Sequence, residues 1–222
     1  MALPNLIPSS LALSERARVV ELRRRQVICR EGDLSNGLFL VELGMAKVMR
    51  SAPTGAQLVL GILGPGEVIG ELSLIDGGAC SASAEALTPV RLRSIPSEVL
   101  MEQYEQRHEV RAWLLNVLAR RLRHANTVST DLVFTGVAER VARVVLDLAQ
   151  RFGEQRLGSI SVSHGLTQSE LAQLVGTTRE SANRALARFA RHGWISLRAG
   201  SLLVHDVPAL HRTAGTRKKV WR

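Results

Sequence analysis

Short apolar runs separated by turn residues fill the stretch between residues 32 and 78. More than half of the chain's 18 glycines lie there, between the apolar runs Leu38–Leu43, Ala46–Met49, Gln57–Leu63 and Glu67–Ile69. One more run lies between Pro89 and Pro96. Short strands at nearly regular spacing, with glycine turns between them, are typical of antiparallel sheets. The pattern therefore predicts an antiparallel sandwich or roll in the first part of the chain.

The pattern becomes helical between Ser97 and Thr135, where neither glycine nor proline occurs. The more polar segment Glu98–Glu109 predicts a separate short helix before a long one. One face of the long helix carries an apolar stripe. Its members are Val110, Leu114, Leu118, Leu122, Ala125 and Leu132. Because such a stripe must be buried, we expect it to pack against a symmetric partner helix, and packing on its own domain is the alternative.

The remaining residues predict a small mixed domain. Residues 137–152 form an amphipathic pattern that ends near Gly153, and Ile160–Val162 predicts a short strand. Near the end of the chain, Gly193–Arg198 and Ser201–Val204 flank the turn residues Ala199 and Gly200. This arrangement predicts a β-hairpin, which would form a wing beside the helices that precede it.

Two short capped helices are predicted between the strand and the hairpin. Thr167 and Glu170 have capping-box spacing, and Gly176 stands where a left-handed residue would end the first helix. Thr177 and Glu180 repeat the spacing and predict the start of the second helix. Two such helices joined by a tight glycine turn are the sequence form of a helix-turn-helix.

Polar side chains on the second helix carry the predicted chemistry. Arg179, Glu180, Asn183 and Arg184 lie in its first two turns, away from its apolar face. The N-terminal side chains of such a helix reach base edges in the major groove of double-stranded DNA, where arginine pairs with guanine and a carboxylate accepts from cytosine. The alternative is an ordinary exposed face with an i,i+4 ion pair between Glu180 and Arg184.

The charge distribution favours a polyanionic partner for this half of the chain. The formal net charge is +9. Residues 1–134 contain 15 basic and 14 acidic residues, which gives +1, whereas residues 135–222 contain 14 and 6, which gives +8. Nucleic acid is the natural partner of such a basic segment.

Composition argues against several other classes. The chain is 45% hydrophobic and 22% charged, and no apolar run has the length of a membrane span, so we expect a globular protein without a membrane partner. No signal-peptide pattern is present, which favours the cytoplasm. Cys29 and Cys80 form no CxxC motif and the histidines show no ligand spacing, so no metal site is expected. No catalytic motif appears, so we expect no enzyme and no catalytic residues.

Three segments, taken in order, resemble the Crp/Fnr (cyclic-AMP receptor protein) family of transcription regulators. Gly64–Gly78 is similar to the phosphate-binding cassette of a cyclic-nucleotide β-roll, and Leu118–Phe134 is similar to the dimerisation helix and hinge. Leu166–Arg188, followed by Gly193–Ile195, is similar to the DNA-binding helices. The resemblance implies an α+β fold with three parts. These are a cyclic-nucleotide-binding-like β-roll at residues 1–97, a long dimerisation helix and hinge at 98–134, and a winged helix-turn-helix at 135–222.

The resemblance also implies roles for the helix-turn-helix residues. The family reads DNA with an Arg-Glu pair and an arginine four residues after the glutamate, which Arg179, Glu180 and Arg184 match. This match implies a homodimer on a palindromic operator with TGTGA-like half-sites, and RNA polymerase as a further partner. The family makes phosphate contacts at the positions that Thr167, Gln168 and Thr178 occupy here.

The expected ligand pocket departs from the family pattern. Gly70 and Glu71 are kept, but Cys80 and Ser81 stand where cyclic-AMP-responsive members have Arg-Ser or Arg-Thr. A thiol cannot replace the bidentate, charged grip of a guanidinium on a phosphodiester. On the long helix, Ala125 and Asn126 replace a Thr followed by Ser or Asn. We therefore expect cyclic AMP or another cyclic nucleotide to bind weakly or through other contacts, or the pocket to be empty.

Two interpretations stay open beside the main one. The chain could sense a nucleotide and act through protein contacts rather than DNA, although this would leave the basic half without a role. Cys80 could be a redox-sensing thiol, although an inert small residue is the favoured interpretation. Gly136 occupies the position of a family aspartate that caps the next helix, so a looser hinge is expected.

Overall fold

A computed structural model describes residues 7–12, 14–34 and 37–215. The chain forms two compact units that divide between Asn126 and Thr127, inside a long helix. The division of the chain into parts 1–97, 98–134 and 135–222 remains a prediction. Among the helices that the structure describes, none is long and apolar enough to cross a membrane.

The first unit is an antiparallel roll followed by helices. Its elements are α1 (Ser9–Ala12), β1 (Arg18–Leu22), β2 (Val27–Cys29), β3 (Gly37–Leu43), β4 (Ala46–Ser51), β5 (Gln57–Leu63), β6 (Val68–Ile69), α2 (Glu71–Asp76), β7 (Ser83–Ala86), β8 (Val90–Pro96), α3 (Ser97–Gln106) and the first part of α4 (His108–Phe134). The strands form two four-stranded sheets with the orders β1-β8-β3-β6 and β2-β7-β4-β5. All the pairings are antiparallel, which confirms the predicted roll.

Apolar side chains from both sheets fill the roll. One buried cluster joins Val41 and Leu92 of the first sheet to Ala46 and Ala84 of the second. A second cluster packs the helices on the roll, with Val110 and Leu114 of α4 against Leu38. The first part of the predicted stripe on α4 is therefore buried within its own unit. Farther along the helix, Leu122 is 64% exposed.

The second unit is a winged helix-turn-helix. After the end of α4 its elements are α5 (Val137–Phe152), β9 (Gly153–Arg156), β10 (Ser159–Val162), α6 (Gln168–Val175), α7 (Arg179–Arg191), β11 (Ile195–Arg198), β12 (Ser201–Val204) and α8 (Val207–Thr213). The strands form one antiparallel sheet with the order β11-β12-β10-β9. The predicted strand, hairpin and pair of short helices are thus all confirmed.

Candidate nucleic-acid interface and sensor cavity

The predicted capping box fixes the start of α6. The Thr167 hydroxyl accepts from the Glu170 N–H at 3.2 Å, and the Glu170 carboxylate accepts from the Thr167 N–H at 2.8 Å. These two bonds satisfy donors that a helix N-terminus leaves unpaired. They hold Thr167 and Gln168 exposed at the first turn of α6.

The turn between the two helices depends on Gly176. Its φ of +70° lies in the left-handed region, and an added Cβ would lie 2.5 Å from Cδ2 of Leu132. Glycine is the residue that adopts this conformation without strain. The N–H of Thr177 then donates to the Ala172 carbonyl at 3.0 Å and closes the end of α6.

The predicted capping box at Thr177 and Glu180 is wrong. The N-cap of α7 is Thr178, whose hydroxyl accepts from the Ser181 N–H at 3.3 Å. The reason is that the backbone of Thr177 is used to close α6, so α7 begins one residue later than the spacing indicated. Thr178 is therefore the exposed N-cap of α7, and its contact with a phosphate remains a prediction.

The predicted base-reading residues lie together at the start of α7. Arg179, Glu180 and Arg184 are exposed and Asn183 is half-buried, while Ala182, Leu186 and Phe189 on the opposite face are buried. The Gln168 amide oxygen accepts from Arg179 Nη2 at 3.3 Å and from Asn183 Nδ2 at 3.2 Å. The structure therefore joins Gln168 to this group and holds the first turns of α6 and α7 side by side.

Glu180 is ready to act as an anionic acceptor. Its own backbone N–H lowers the pKa of the carboxyl, and the Thr178 hydroxyl and the guanidinium groups of Arg179 and Arg184 lower it further. Among the residues that the structure describes, Glu180 forms no ion pair with Arg184. The Arg184 guanidinium instead donates to the Ser181 hydroxyl at 2.8 Å. The i,i+4 ion pair between Glu180 and Arg184, which an ordinary exposed helix face would form, is therefore not the pairing observed.

A basic cleft lies beside α7. It measures ≈ 310 Å³ and contains the side chains of Arg184, Arg188 and Arg191 next to Val137 and Ala138 at the N-terminus of α5. Gly136 caps α5 without a side-chain bond, so backbone donors at this end have no side-chain acceptor at the cap. A helix N-terminus carries partial positive charge, which adds to that of the arginines. The sequence alone did not indicate that the start of α5 lies beside these arginines of α7.

One arginine joins three segments behind the helix-turn-helix. The Arg140 guanidinium donates to the carbonyls of Thr135 at 2.6 Å, Val175 at 3.1 Å and Gly176 at 3.2 Å. Thr135 follows α4, and the other two carbonyls end α6. This role could not be predicted from the sequence, because the acceptors are backbone atoms that any residue would supply.

The residues predicted for the ligand pocket line a cavity of the roll. Gly70, Glu71, Cys80 and Ser81 all contribute to it, whereas Asn126 is not among its lining residues. The cavity volume is ≈ 40 Å³. Pockets that enclose a small-molecule ligand measure about 300–1,000 Å³.

An arginine of α4 occupies one side of this cavity. The Arg121 Nε lies 2.8 Å from a carboxylate oxygen of Glu71, which is 2% exposed, and Arg121 Nη2 donates to the Val68 carbonyl at 2.5 Å. Burial raises the pKa of Glu71, and the Arg121 guanidinium opposes that rise. Glu71, which is kept from the family pattern, is therefore already paired with a side chain of the same unit.

Two family models match the two ends of the chain. A cyclic nucleotide-binding domain matches residues 19–107, and a Crp-like helix-turn-helix domain matches residues 139–213. A roll of the first kind followed by a helix-turn-helix of the second defines a transcription regulator with a DNA-binding domain.

Similar proteins identify the family. The chain is 43% identical over 208 residues to a CRP-like cAMP-activated global transcriptional regulator of Mycobacterium tuberculosis, covering 93% of both chains. It is 35% identical to the cyclic AMP receptor protein of Thermus thermophilus, over 83% of this chain and 82% of that one. The chain belongs to the Crp/Fnr family of transcription regulators. Since these relatives are regulators, the prediction that the chain is not an enzyme is confirmed.

Solved structures have the same fold. FixK2 of Bradyrhizobium japonicum superposes with a TM-score of 0.81 at 21% identity, covering 91% of this chain and 99% of that one. A CRP-family regulator of Thermus thermophilus superposes with a TM-score of 0.76 at 26% identity, covering 89% and 97%. The predicted α+β fold, with its β-roll, long helix and winged helix-turn-helix, is confirmed.

Proposed function

We propose that the chain acts in the cytoplasm as a homodimer that binds a palindromic, TGTGA-like operator through α7, and that its cavity has lost ordinary cyclic-AMP binding. The observation that carries the proposal is the exposed group of Arg179, Glu180 and Arg184 on the first turns of α7. A helix presents such residues to base edges when it enters the major groove. RNA polymerase remains a further predicted partner.

Phosphate contacts have two sources around this helix. Thr167, Gln168 and Thr178 lie at the N-terminal ends of α6 and α7, where helix ends favour anions. The cleft with Arg184, Arg188 and Arg191 beside the start of α5 adds a concentrated positive charge. Contacts of this kind fix the register of the protein on the duplex, while the base contacts supply specificity.

The exposed apolar residues of α4 support a homodimer. Leu115 and Leu122 are each 64% exposed and lie seven residues apart. Leu118 and Ala125 lie three residues after each of these leucines, and Leu132 lies seven residues after Ala125, so the five residues follow a heptad pattern in which Ser129 takes the one remaining position. Helices with this pattern bury it against a partner helix. A symmetric pair of recognition helices would enter major grooves roughly 34 Å apart on a palindrome.

The operator proposal is tested by comparing two duplexes. One carries two inverted TGTGA half-sites and the other has the same bases scrambled. We expect Arg179→Ala and Glu180→Ala each to weaken operator binding by about 1–3 kcal/mol, because each removes a base contact, and to have little effect on the scrambled duplex. Fluorescence anisotropy at a fixed salt concentration measures both affinities.

Arg156→Ala is the matched control for this comparison. It also removes one guanidinium, but from β9, the edge of the sheet opposite β11 of the wing. We expect it to leave the ratio of the two affinities unchanged. Equal losses on both duplexes in the α7 variants, or a wild type that binds both duplexes equally, would contradict base reading.

From the altered pocket we make a separate prediction about the affinity for cyclic AMP. Calorimetric titration of the wild type should detect no tight binding, because Cys80 supplies no charged donor and Arg121 holds Glu71. A lost charged hydrogen bond costs about 1.5–3 kcal/mol, which is roughly ten- to a hundredfold in affinity. We expect Cys80→Arg to raise the affinity for cyclic AMP, and Cys80→Met, without a charge, to leave it unchanged. A tight wild-type complex would refute the proposal.

A further inference from the structure

The two cysteines of the chain meet in the cavity of the roll. Cys29 at the end of β2 and Cys80 after α2 both line it, although they are far apart in the sequence. Backbone bonds hold their segments together on both sides. Cys80 donates to the Asp33 carbonyl at 2.8 Å and accepts from the Gly32 N–H at 2.9 Å, while Cys29 is paired in register with Ala84 of β7.

Both thiols line the same cavity. Burial raises the pKa of Cys29 to about 12, and the neighbouring Cys80 adds to this rise. The Cys29 thiol also faces the Ala82 carbonyl, with a sulfur–oxygen distance of 3.9 Å. The proposed reading of DNA uses neither thiol.

The size of the cavity limits what can reach these sulfur atoms. A water molecule needs about 10–15 Å³ of cavity volume measured in this way. The ≈ 40 Å³ present thus admits molecules of a few atoms, whereas a tripeptide thiol is far larger. Hydrogen peroxide, with two oxygen atoms, is an oxidant of the right size.

We propose that Cys29 and Cys80 form a reversible intrachain disulfide when the protein meets hydrogen peroxide, which makes this cavity a site of redox modification. In the proposed order, Cys80 reacts first. Its sulfur attacks one peroxide oxygen, the O–O bond breaks, and the departing hydroxide takes the thiol proton and leaves as water.

The second step closes the disulfide. The Cys29 sulfur attacks the sulfenic sulfur of Cys80, the S–O bond breaks, and the leaving hydroxide takes the Cys29 proton as a second water. Two thiols and one peroxide thus give one disulfide and two waters. Both cysteines are oxidised, the peroxide is reduced, and the product ties β2 to the segment between α2 and β7.

Peptide mapping of the full chain tests this site directly. The protein is treated with hydrogen peroxide, its remaining thiols are alkylated under denaturing conditions, and it is digested with trypsin. We expect peptide Gln26–Arg30 linked to peptide Ser51–Arg91, with the loss of two hydrogen atoms. Dithiothreitol should restore both free thiols, and the oxidised chain should migrate as a single unlinked chain on a non-reducing gel.

Cys29→Ser and Cys80→Ser are the matched variants. Cys29→Ser should accumulate a Cys80 sulfenic acid, which dimedone traps when it is added together with the denaturant, whereas Cys80→Ser should leave Cys29 reduced. The proposal is overturned if the wild-type thiols stay reduced at a dose that fully oxidises glutathione in a parallel tube. Sulfinic acid without the linked peptides, or a disulfide between two chains, also overturns it. No readout involves DNA, so the result is independent of the proposed function.

Discussion

His164 is a buried residue whose neutral form the fold requires. It is 5% exposed, and its Nδ1 accepts from the Leu166 N–H at 3.0 Å, just before α6, the first helix of the helix-turn-helix. An imidazole can accept at this nitrogen only while it is unprotonated there. Burial lowers the pKa of His164 to about 4. The start of the helix-turn-helix is therefore sensitive to acid.

This pKa predicts how the stability of the second unit changes with pH. As pH falls below about 6.5, the unfolded chain binds a proton at His164 before the native state does, so stability is lost between about pH 6.5 and pH 4. The full loss is about 3 kcal/mol. His164→Asn, whose amide oxygen can replace Nδ1 as acceptor, should lack this part of the pH dependence. Urea unfolding at each pH measures the free energy of unfolding of both proteins. Hydrogen exchange in the peptide that contains α6 shows whether the change lies in the second unit.

The contradicting result would be parallel stability curves for the wild type and His164→Asn between about pH 7 and pH 4. That outcome would mean that His164 is protonated in the native state as easily as in the unfolded chain. Carboxylates also titrate in this range, but they do so in both proteins and cancel in the difference.

Residue roles could be predicted from the sequence where they depend on near neighbours. The Thr167–Glu170 capping box needs two residues three positions apart, and it formed as predicted. The pair Arg121–Glu71 could not be foreseen, because the fold brings a helix and a cassette together from distant parts of the chain. The capping box predicted at Thr177 and Glu180 was wrong although it also depends on near neighbours. The end of α6 and the start of α7 compete for Thr177, and the spacing alone does not decide between them.

At the scale of elements, Arg140 ties three helices together. It extends from α5 to the carbonyls that end α4 and α6, so one planar guanidinium satisfies groups that helix ends leave unpaired. Lysine has a single point charge and cannot make this fork. The orientation of α6 relative to α5 is expected to depend on the shape of this side chain.

We predict that Arg140→Met and Arg140→Lys both destabilise the second unit, by about 2 kcal/mol, because carbonyls lose charged donors. The control is Arg151→Met on the same helix, where the guanidinium forms an i,i+4 pair with Asp147 at 3.0 Å. Such a surface pair is worth about 0.3–0.5 kcal/mol. Chemical denaturation measures all three variants, and full rescue by lysine would show that charge alone matters.

Element prediction succeeded where the pattern was long or strongly periodic. The apolar runs became β3, β4, β5, β6 and β8, and the helical stripes became α4 and α5. The sequence did not indicate β2, which has three residues, or β7, whose residues Ser83–Ala86 include none with a strong preference for strands. Pairing with neighbours in the sheet makes these two segments extended.

At the scale of the whole molecule, the basic part and the nearly neutral part come from different segments of the chain. The +8 excess of residues 135–222 lies with the recognition helix, whereas residues 1–134 are nearly neutral. The apolar stripe on α4 is also divided, into a buried part and an exposed part. Val110 and Leu114 are buried in the first unit, Leu118 is half-buried, and Leu122, Ala125 and Leu132 are exposed. The sequence could not reveal this division, because burial within the unit and burial against a partner give the same periodicity.

The exposed part of the stripe predicts that Leu122→Glu prevents the proposed homodimer from forming. Across a two-fold axis the substitution would bring two carboxylates close together in an apolar seam, and a charge there loses its hydration without a partner. Sedimentation equilibrium should give a dimer for the wild type and a monomer for the variant. Binding to the full palindrome should weaken by at least tenfold, while binding to a single half-site stays the same.

His124→Glu is the control that separates this effect from added charge. His124 lies on α4 two residues after Leu122, which turns it by about 200° to the other side of the helix, so its glutamate should remain in solvent. We expect this variant to stay dimeric and to keep the difference between palindrome and half-site. If Leu122→Glu also sediments as a dimer with unchanged preference for the palindrome, the seam on α4 does not hold the two copies together.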